Sequence, residues 1–418
     1  MMEISEYFKG DRIVWIVFMI LCCISMVEVF SAASTLSYKS GDYLAPITSH
    51  CITLFFGAAI VYVLHMMPYK YFRLIPFTLL PLSALLLAVV MVMGIVADER
   101  VNGASRWLFG FQPSEMGKMS LVVTMAYLLS RFQTADGCSP LAFKPILLVA
   151  AAMLGLIAPE NGSTALLLAA VVYMQMLIGR VPWKQFGRLT VAVVLTGGLA
   201  VAFIVLVPPS VYEGVPGTHR FVTWRNRLTG FASSDVVPAA KFDIDDDAQV
   251  AHANIAIATS HVLGKGPGNS VQRDHLSHSY SDYIYAIVIE ELGLLGGTFV
   301  VLLYIILLFR VGQIAKCCND SFGIFLITGV GLLLVSQAMM HMLVNVDLFP
   351  VTGQPLPLIS KGGTSIIINS VYIGMILSVS RTVDKQQTKL AAMVEKSETQ
   401  PSVNQDIQNK ETESCVNV

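Results

Sequence analysis

Long apolar runs dominate the sequence, and they constrain the fold more than any other feature. A helix that crosses a membrane needs about 20 mostly apolar residues. Ten segments of the 418-residue chain meet or approach this length, and they centre on 13–33, 47–67, 74–96, 113–130, 144–158, 163–179, 187–207, 283–309, 322–345 and 364–380. The chain is therefore predicted to be an all-α, polytopic membrane protein with about ten transmembrane helices.

The composition supports this class and argues against others. Hydrophobic residues make up 55% of the chain and charged residues 13%, whereas soluble domains carry roughly 25% charged residues. Because so few ionic groups cannot cover a water-exposed surface, a soluble enzyme, a nucleic-acid-binding protein and a disordered scaffold do not fit. The net charge of -1 gives no reason to expect a polyanionic partner.

Lysine and arginine lie mostly on one side of the predicted spans. The N-terminus and alternate loops carry eleven of them, whereas the opposite short loops carry Lys39, Arg100, Arg106 and Lys361, with Lys118 just inside a helix. The positive-inside rule then predicts that both termini are cytoplasmic.

Two segments outside the predicted spans differ in character. Residues 208–282 form a long extracytoplasmic loop, and loops of this length are usually functional or disordered. Within that loop, the spacing of small apolar residues over 248–263 predicts a short interfacial helix just before a string of glycines. Residues 382–418 are polar and nearly free of aromatic side chains, so a disordered cytoplasmic tail is predicted behind a membrane domain of residues 1–381.

Charged residues at membrane depth are expensive, and they are usually functional. In the string FQPSEMGK, Glu115 and Lys118 lie three residues apart on one helix face, where they pair with each other or Lys118 binds an anionic phosphate group. Arg106 and Trp107 precede them in a loop, which also fits an ordinary interfacial belt. Glu160 lies in a tight hairpin, where it either caps the next helix or serves a site.

The start of the eighth predicted span carries a second group of acidic residues. Asp282 fits a helix N-cap, but it also lies where the long loop meets the bilayer, as expected of a base that serves a lipid-linked substrate. Of the two following glutamates, Glu290 lies roughly 80° around the helix from Asp282 and Glu291 lies opposite. Non-helical backbone between the last two spans should line a cavity that Lys361 enters. These charges predict an anionic substrate, such as a diphosphate, that bears hydroxyl groups.

Taken together, the strings resemble the SEDS family (shape, elongation, division and sporulation), and they are most similar to its FtsW branch. NGASRWL, FQPSEMGK, PENGST, GKGPGNS, SDYIYA with EELG, and PLPLIS followed by GGTS occur in family order over about residues 12–380. The resemblance implies an inverting glycosyltransferase that polymerises lipid II into peptidoglycan strands for septal wall synthesis. It also implies a class B penicillin-binding protein (a transpeptidase) and other division proteins as partners.

The resemblance also assigns roles to residues. Asp282 matches the essential aspartate of the family and is expected to be catalytic. The residues expected to bind substrate lie near the outer membrane face, and they are Arg106, Trp107, Glu115, Lys118, Glu160, Glu290 and Lys361. Glu160 stands where the family usually has aspartate, which weakens its expected binding role. Lys361 stands where the family usually has tyrosine, and it adds a cation to the site.

No metal ligands can be assigned from the sequence. A divalent cation such as Mg²⁺ would help to stabilise the leaving diphosphate, and it is the one cofactor that such a reaction suggests. Three alternatives remain open: a lipid II flippase, a side-wall elongation member of the same polymerase family, and a noncatalytic scaffold. The flippase is less favoured, because the ionisable residues gather on one side and no pair of broken helices occurs in corresponding halves.

Overall fold

The computed structural model describes residues 8–32, 45–96, 111–207, 224–225, 248–276 and 279–398, and these are mostly helical. A two-stranded antiparallel ribbon pairs Gln133–Thr134 with Gly137–Cys138. The α-helices are α1 Arg12–Ala32, α2 Ala45–Met66, α3 Ile75–Val96, α4 Pro113–Arg131, α5 Phe143–Ile157, α6 Gly162–Ile178, α7 Trp183–Leu206, α8 Ala248–Ala258, α9 Ile284–Cys317, α10 Ser321–Asn345 and α11 Gly363–Glu398.

Each of the ten predicted segments coincides with one helix, and the additional helix, α8, begins where a short helix was predicted ahead of the glycines. Eight helices in the described ranges are long and apolar enough to cross a membrane. The other two predicted spans fall short, since α6 has 17 residues and α4 begins with two polar turns. The all-α, polytopic membrane architecture is therefore confirmed, and the number of ten spans stays a prediction.

Helix α10 lies at the centre of the bundle. It packs against α4, α6, α9 and α11, and it is among the most buried of the spans, whereas α7 is the most exposed. Glycines allow close approach at this centre, because a Cβ at Gly329 would overlap the side chain of Gln175 on α6. The central position of α10 decides which polar side chains can meet inside the protein.

Helix α9 is interrupted at Gly293, whose φ of 73° and ψ of -178° are not helical. The break leaves two carbonyls and two amides without partners in the helix, and a neighbouring loop supplies them. Amides of residues 265–266 donate to the carbonyls of 290–291 at 3.0 and 2.8 Å, and amides of residues 294–295 donate to the carbonyls of 261–262 at 3.2 and 3.3 Å. The backbone hydrogen bonds lost at the break are thus replaced by bonds to the loop.

The predicted disordered tail differs from the structure over its first part. Helix α11 continues to Glu398, so the predicted domain boundary at residue 381 falls inside a helix. Residues 382–398 are rich in Lys, Gln, Ala and Glu, which are good helix formers. Extending an existing helix needs no new nucleus, so these residues can remain helical although they are polar. Residues 399–418 lie outside the described ranges.

Candidate active site

Three polar side chains lie one turn apart on the central helix α10. Gln337, His341 and Asn345 are all buried, and their spacing of four residues places them on one helix face. They were not among the residues predicted from the sequence, although polar residues repeated every four positions within the apolar string QAMMHMLVN are a recognisable signal. Each of them contacts a segment that carries a predicted site residue.

Asn345 holds the turn that contains Asp282. Its side-chain amide donates to the Asp282 carbonyl at 3.0 Å, and its Oδ1 accepts from the amide of Ala286 at 3.1 Å. Helix α9 begins at Ile284, and the residue before it, Tyr283, provides no side-chain cap. The capping interpretation of Asp282 therefore does not hold, because a side chain from α10 satisfies the helix start instead.

The Asp282 carboxylate is left available for chemistry. The residue is half-buried, and no side-chain hydrogen bond or ion pair to it is found among the described residues. It lies close enough to His341 for the two side chains to interact electrostatically. The Nδ1 atom of His341 donates to the Gln354 carbonyl at 2.7 Å, whereas its buried Nε2 has no hydrogen-bond partner. A partly desolvated carboxylate without donors can accept a proton from a substrate.

Lys361 lies beside the same turn, and its predicted role in substrate binding stays a prediction. Its amide donates to the Tyr280 carbonyl at 2.9 Å, and its Nζ lies 5.5 Å from the centre of the Tyr280 ring. Next to it, the Ser360 hydroxyl donates to the Ser281 carbonyl at 2.7 Å. Burial lowers the pKa of Lys361 below the ordinary lysine value of 10.5, and burial followed by the Asp282 charge raises the pKa of Tyr280. The turn thus presents a carboxylate and an ammonium that none of the described ion pairs joins.

Glu115 and Lys118 form the predicted pair, but they lie inside the protein. Their ion pair measures 2.8 Å, and Lys118 also donates to Gln337 Oε1 at 2.9 Å. Gln337 in turn donates to the Pro355 carbonyl at 3.1 Å. Lys118 is fully buried, so a phosphate group has no access to it in this structure. Direct substrate binding by this pair does not fit the geometry, and the pair instead supports the loop that leads to Lys361.

Glu160 lies in the hairpin between α5 and α6, and it does not cap α6. The cap is Asn161, whose Oδ1 accepts from the Thr164 amide at 3.1 Å. The neighbouring Ser163 donates to the Thr352 carbonyl at 3.1 Å, so the hairpin contacts the loop that contains Lys361. Glu160 therefore lies at the same end of the bundle as the turn of Asp282, and its binding role stays a prediction.

Glu290 does not fit the predicted substrate-binding role. Its carboxylate is fully buried and accepts from Lys265 Nζ at 2.6 Å, from the Ser270 hydroxyl and from two amides of residues 271–272. Glu291 likewise accepts from the amides of residues 268 and 270. Both glutamates hold the glycine-rich loop against α9 and leave no carboxylate oxygen free for a substrate. The predicted angle of roughly 80° between Asp282 and Glu290 does not apply, because Asp282 precedes the helix.

The structure thus places Lys361 beside the turn of Asp282, with Glu160 at the same end of the bundle. The Glu115–Lys118 pair is buried and supports the loop that leads to Lys361. Arg106 and Trp107 lie outside the described residues. Another tryptophan, Trp224, lies against Gly162, where a Cβ would come within 2.3 Å of its ring. Charged and aromatic groups therefore converge at one end of the helix bundle.

The FtsW/RodA/SpoVE family model, described as "Cell cycle protein", matches residues 11–385. The chain belongs to this family. The resemblance noted from the sequence strings is confirmed, and it extends over nearly the whole membrane domain.

Curated members of the FtsW/RodA/SpoVE family align along most of the chain. A protein of Hahella chejuensis named "Probable peptidoglycan glycosyltransferase FtsW" is 31% identical over 381 residues, which cover 88% of this chain and 90% of that protein. A protein of the same name from Trichlorobacter lovleyi is 28% identical over 386 residues, which cover 90% and 94% of the two chains.

Solved structures of the family share the fold. One, reported as "Structural coordination of polymerization and crosslinking by a peptidoglycan synthase complex", has a TM-score of 0.66 and 22% identity, covering 90% of this chain and 98% of that chain. The rod shape determining protein RodA of Thermus thermophilus has a TM-score of 0.60 and 19% identity, with coverages of 90% and 98%. Both likenesses support the helical arrangement described above.

The possible divalent cation remains a prediction. Within the described ranges, no three His, Cys, Asp or Glu side chains are grouped as a metal site would require. Asp282 is the carboxylate that this family member presents at the turn, and one carboxylate alone is not a metal site.

Proposed function

We propose that this chain is a peptidoglycan glycosyltransferase of the FtsW type, which polymerises lipid II into glycan strands for septal wall synthesis during cell division. The activity is that of the curated relatives by name. The observation that carries the assignment of the site is the Asp282 carboxylate, which makes no side-chain hydrogen bond or ion pair among the described residues, while Asn345 supplies the cap of α9.

The proposed reaction is a glycosyl transfer with inversion. Asp282 removes the proton from the 4-hydroxyl of the acceptor GlcNAc as that oxygen attacks the anomeric carbon of the donor MurNAc. The bond between this carbon and the diphosphate oxygen breaks, and undecaprenyl diphosphate leaves. A hydroxyl is a weak nucleophile, so a positioned base should accelerate the step by about 10²–10⁴-fold.

Lys361 is the cation proposed to stabilise the leaving diphosphate. Its backbone is fixed to Tyr280, within two residues of Asp282, so the ammonium and the base stay at the same turn. Charge that develops on the leaving group is stabilised by such a positioned cation. Arg106 in the preceding loop is a second proposed contact. Lys118 is assigned a supporting role, since Glu115 and Gln337 already occupy it.

The proposed orientation places the site at the outer face of the cytoplasmic (inner) membrane, with both termini in the cytoplasm. It is supported by the lysine and arginine asymmetry of the loops and the positive-inside rule. The proposed partner is a class B penicillin-binding protein, which would crosslink the strands that this chain makes. In one of the similar solved structures, the related chain is part of a peptidoglycan synthase complex.

The test is polymerisation of labelled lipid II by the purified protein, with and without a class B penicillin-binding protein. Asp282→Asn should lose at least 100-fold in activity, because the amide keeps the size of the side chain and cannot accept the proton. Asp274→Asn is the matched control, since Asp274 is an exposed aspartate of the same segment. It should retain wild-type activity.

Three outcomes would contradict parts of the proposal. Activity of Asp282→Asn within about twofold of wild type, at equal thermal stability, would remove Asp282 as the base. Movement of lipid II across vesicles without polymer formation by the wild-type protein would favour a flippase. Rescue of a side-wall elongation defect, but not of a division defect, would keep the chemistry and reassign the cellular role.

A further inference from the structure

One cavity of the protein is lined mainly by basic residues. It has a volume of about 610 Å³ and is formed by the start of the described chain and the last part of α11. Its charged lining consists of one acidic residue, Asp384, and five basic residues, which are Lys9, Arg12, Arg381, Lys385 and Lys389. An excess of four positive charges in one cavity is notable in a protein whose net charge is -1.

Helix geometry places this cavity at the opposite membrane surface from the candidate active site. Helix α11 begins at Gly363, two residues after Lys361. Arg381 and Lys389 follow 18 and 26 residues later, which corresponds to roughly 27 and 39 Å along a helix. The hydrocarbon core of a bilayer is about 30 Å thick. The basic cavity is therefore at the level of the lipid head groups on the far side.

The cations of the cavity are poorly compensated. Lys9, Arg12, Lys385 and Lys389 take part in none of the ion pairs found among the described residues. Nearby Asp11 is already paired with Arg310 of α9. Lys385 is exposed, and neighbouring Arg381, Lys9 and Lys389 act on it electrostatically. Neighbouring like charges repel each other, so an anion bound among these cations would stabilise the arrangement of their side chains.

Arg381 gives the cavity a fixed wall. One guanidinium nitrogen donates to the carbonyls of His65, at 3.1 Å, and of Met66, at the end of α2. Both acceptors are neutral, so the guanidinium keeps its charge while its position is set. Phe8, which is 43% exposed, lies at the same cavity and offers apolar surface beside the cations.

We propose that this cavity binds the phosphate head group of an anionic phospholipid in the leaflet on its side of the membrane. Basic pockets between membrane helices recognise such head groups. The level of the cavity and the exposed ring of Phe8 favour a lipid over a free phosphate ion, because a lipid supplies both a phosphate and adjoining acyl chains. This site is independent of the proposed glycosyl transfer.

The test compares two variants that lose the same charge. In the first, Lys9, Lys385 and Lys389 are replaced by Gln. In the second, the control, Gln replaces three exposed lysines outside the cavity, which are Lys144, Lys184 and Lys316. Full-length wild-type and variant proteins are placed in nanodiscs of phosphatidylcholine with phosphatidylglycerol, extracted gently, and analysed by native mass spectrometry. Circular dichroism checks that each protein is folded.

We expect wild type and control to retain phosphatidylglycerol and the cavity variant to retain at least fivefold less. Equal retention of phosphatidylglycerol by the two variants would mean that overall charge decides lipid binding, and it would overturn the proposed site. In a second arm, inorganic phosphate is added to the protein in detergent without lipid. If phosphate raised the thermal stability of the wild type as much as phosphatidylglycerol does, the lipid assignment would be overturned in favour of a free anion. A cavity variant that is unfolded is replaced by Lys385→Gln with Lys184→Gln as its control, judged by the same criterion.

Discussion

At the level of single residues, the division of labour between Asp282 and Asn345 is the central feature. An aspartate next to a helix start is most simply explained as a cap, and the sequence alone could not exclude that explanation. The structure assigns the cap to Asn345, which is 63 residues away along the chain. Such a long-range contact leaves no trace in local sequence patterns, whereas the position of Asp282 just before a predicted span could be read from the sequence.

The lowered pKa of Lys361 predicts a change in the pH dependence of activity. Burial favours the neutral amine, so the ammonium loses its proton at a lower pH than an ordinary lysine, and binding of diphosphate should weaken as the pH rises through that pKa. Arginine stays charged to about pH 12 or above. Lys361→Arg should therefore shift the alkaline limb of kcat/KM to higher pH.

The measurement is kcat/KM for lipid II polymerisation across the alkaline range. Lys184→Arg, at an exposed position, serves as the control and should leave the profile unchanged. Alkaline limbs that coincide for wild type and Lys361→Arg would mean that Lys361 does not act on the diphosphate through its charge.

The buried Glu115–Lys118 pair predicts a loss of stability when one partner is removed. Lys118→Ala leaves the Glu115 carboxylate buried without its cation, at a cost of about 3–5 kcal/mol. Its melting temperature in detergent should fall clearly. The double variant Glu115→Gln with Lys118→Met has no buried charge and should regain most of the loss. A double variant as unstable as Lys118→Ala would show that the ion pair is not the source of the effect.

At the level of elements, α9 and the glycine-rich loop form one structural unit. The loop amides and carbonyls replace the helix bonds lost at Gly293, while the Glu290 and Glu291 carboxylates bind the same loop from the side. The loop is therefore fixed to the helix by main-chain and side-chain bonds together. This unit is continuous along the chain with the turn of Asp282, which immediately precedes α9.

Two glycines of this loop offer a matched pair of substitutions. Gly264 and Gly268 both have positive φ, +76° and +83°, so alanine at either costs about 1–2 kcal/mol from the backbone alone. A Cβ at Gly264 would lie 2.3 Å from the Glu291 carbonyl oxygen, whereas at Gly268 nothing lies within 4 Å. Thermal unfolding should show Gly264→Ala to be far more destabilising than Gly268→Ala. Equal losses would mean that the loop does not pack against α9 in this way.

Hydropathy predicted where the helices lie, because apolar length is a property of consecutive residues. It did not predict the break at Gly293, since a glycine is also compatible with a straight helix, as the helical Gly296 and Gly297 of the same segment show. The extension of α11 to Glu398 was missed for a different reason. Polarity was taken as a sign of disorder, although the residues concerned favour a helix that has already begun.

At the level of the whole molecule, the two ends of the bundle carry different chemistry. One end presents a carboxylate and an ammonium on turns that α9, α10 and α11 position. The other end presents the basic cavity around Arg381. The Glu115–Lys118 pair is buried inside the bundle. It shows why a charged residue in a membrane span does not by itself mark a functional site, since a paired charge can serve packing.

The proposed orientation predicts which surface residues reagents can reach. Asn254 is exposed and hydrogen-bonds to Asp347, near the turn of Asp282, whereas Leu141 is exposed in the segment between α4 and α5. In a background without native cysteines, a membrane-impermeant maleimide should label Asn254→Cys in spheroplasts. It should label Leu141→Cys only after lysis. The reverse pattern would invert the topology.

The break in α9 has a consequence for how the protein enters the membrane. Residues 261–266 leave the ribosome before α9 does, so the backbone partners of the break are already made when that helix inserts. Unpaired backbone groups in hydrocarbon cost several kcal/mol each. A fragment that begins at α9 would have to insert without those partners. Splitting the gene between residues 276 and 284 should therefore give two halves that do not assemble. A cut between α7 and α8, by contrast, keeps the loop and the broken helix in one piece.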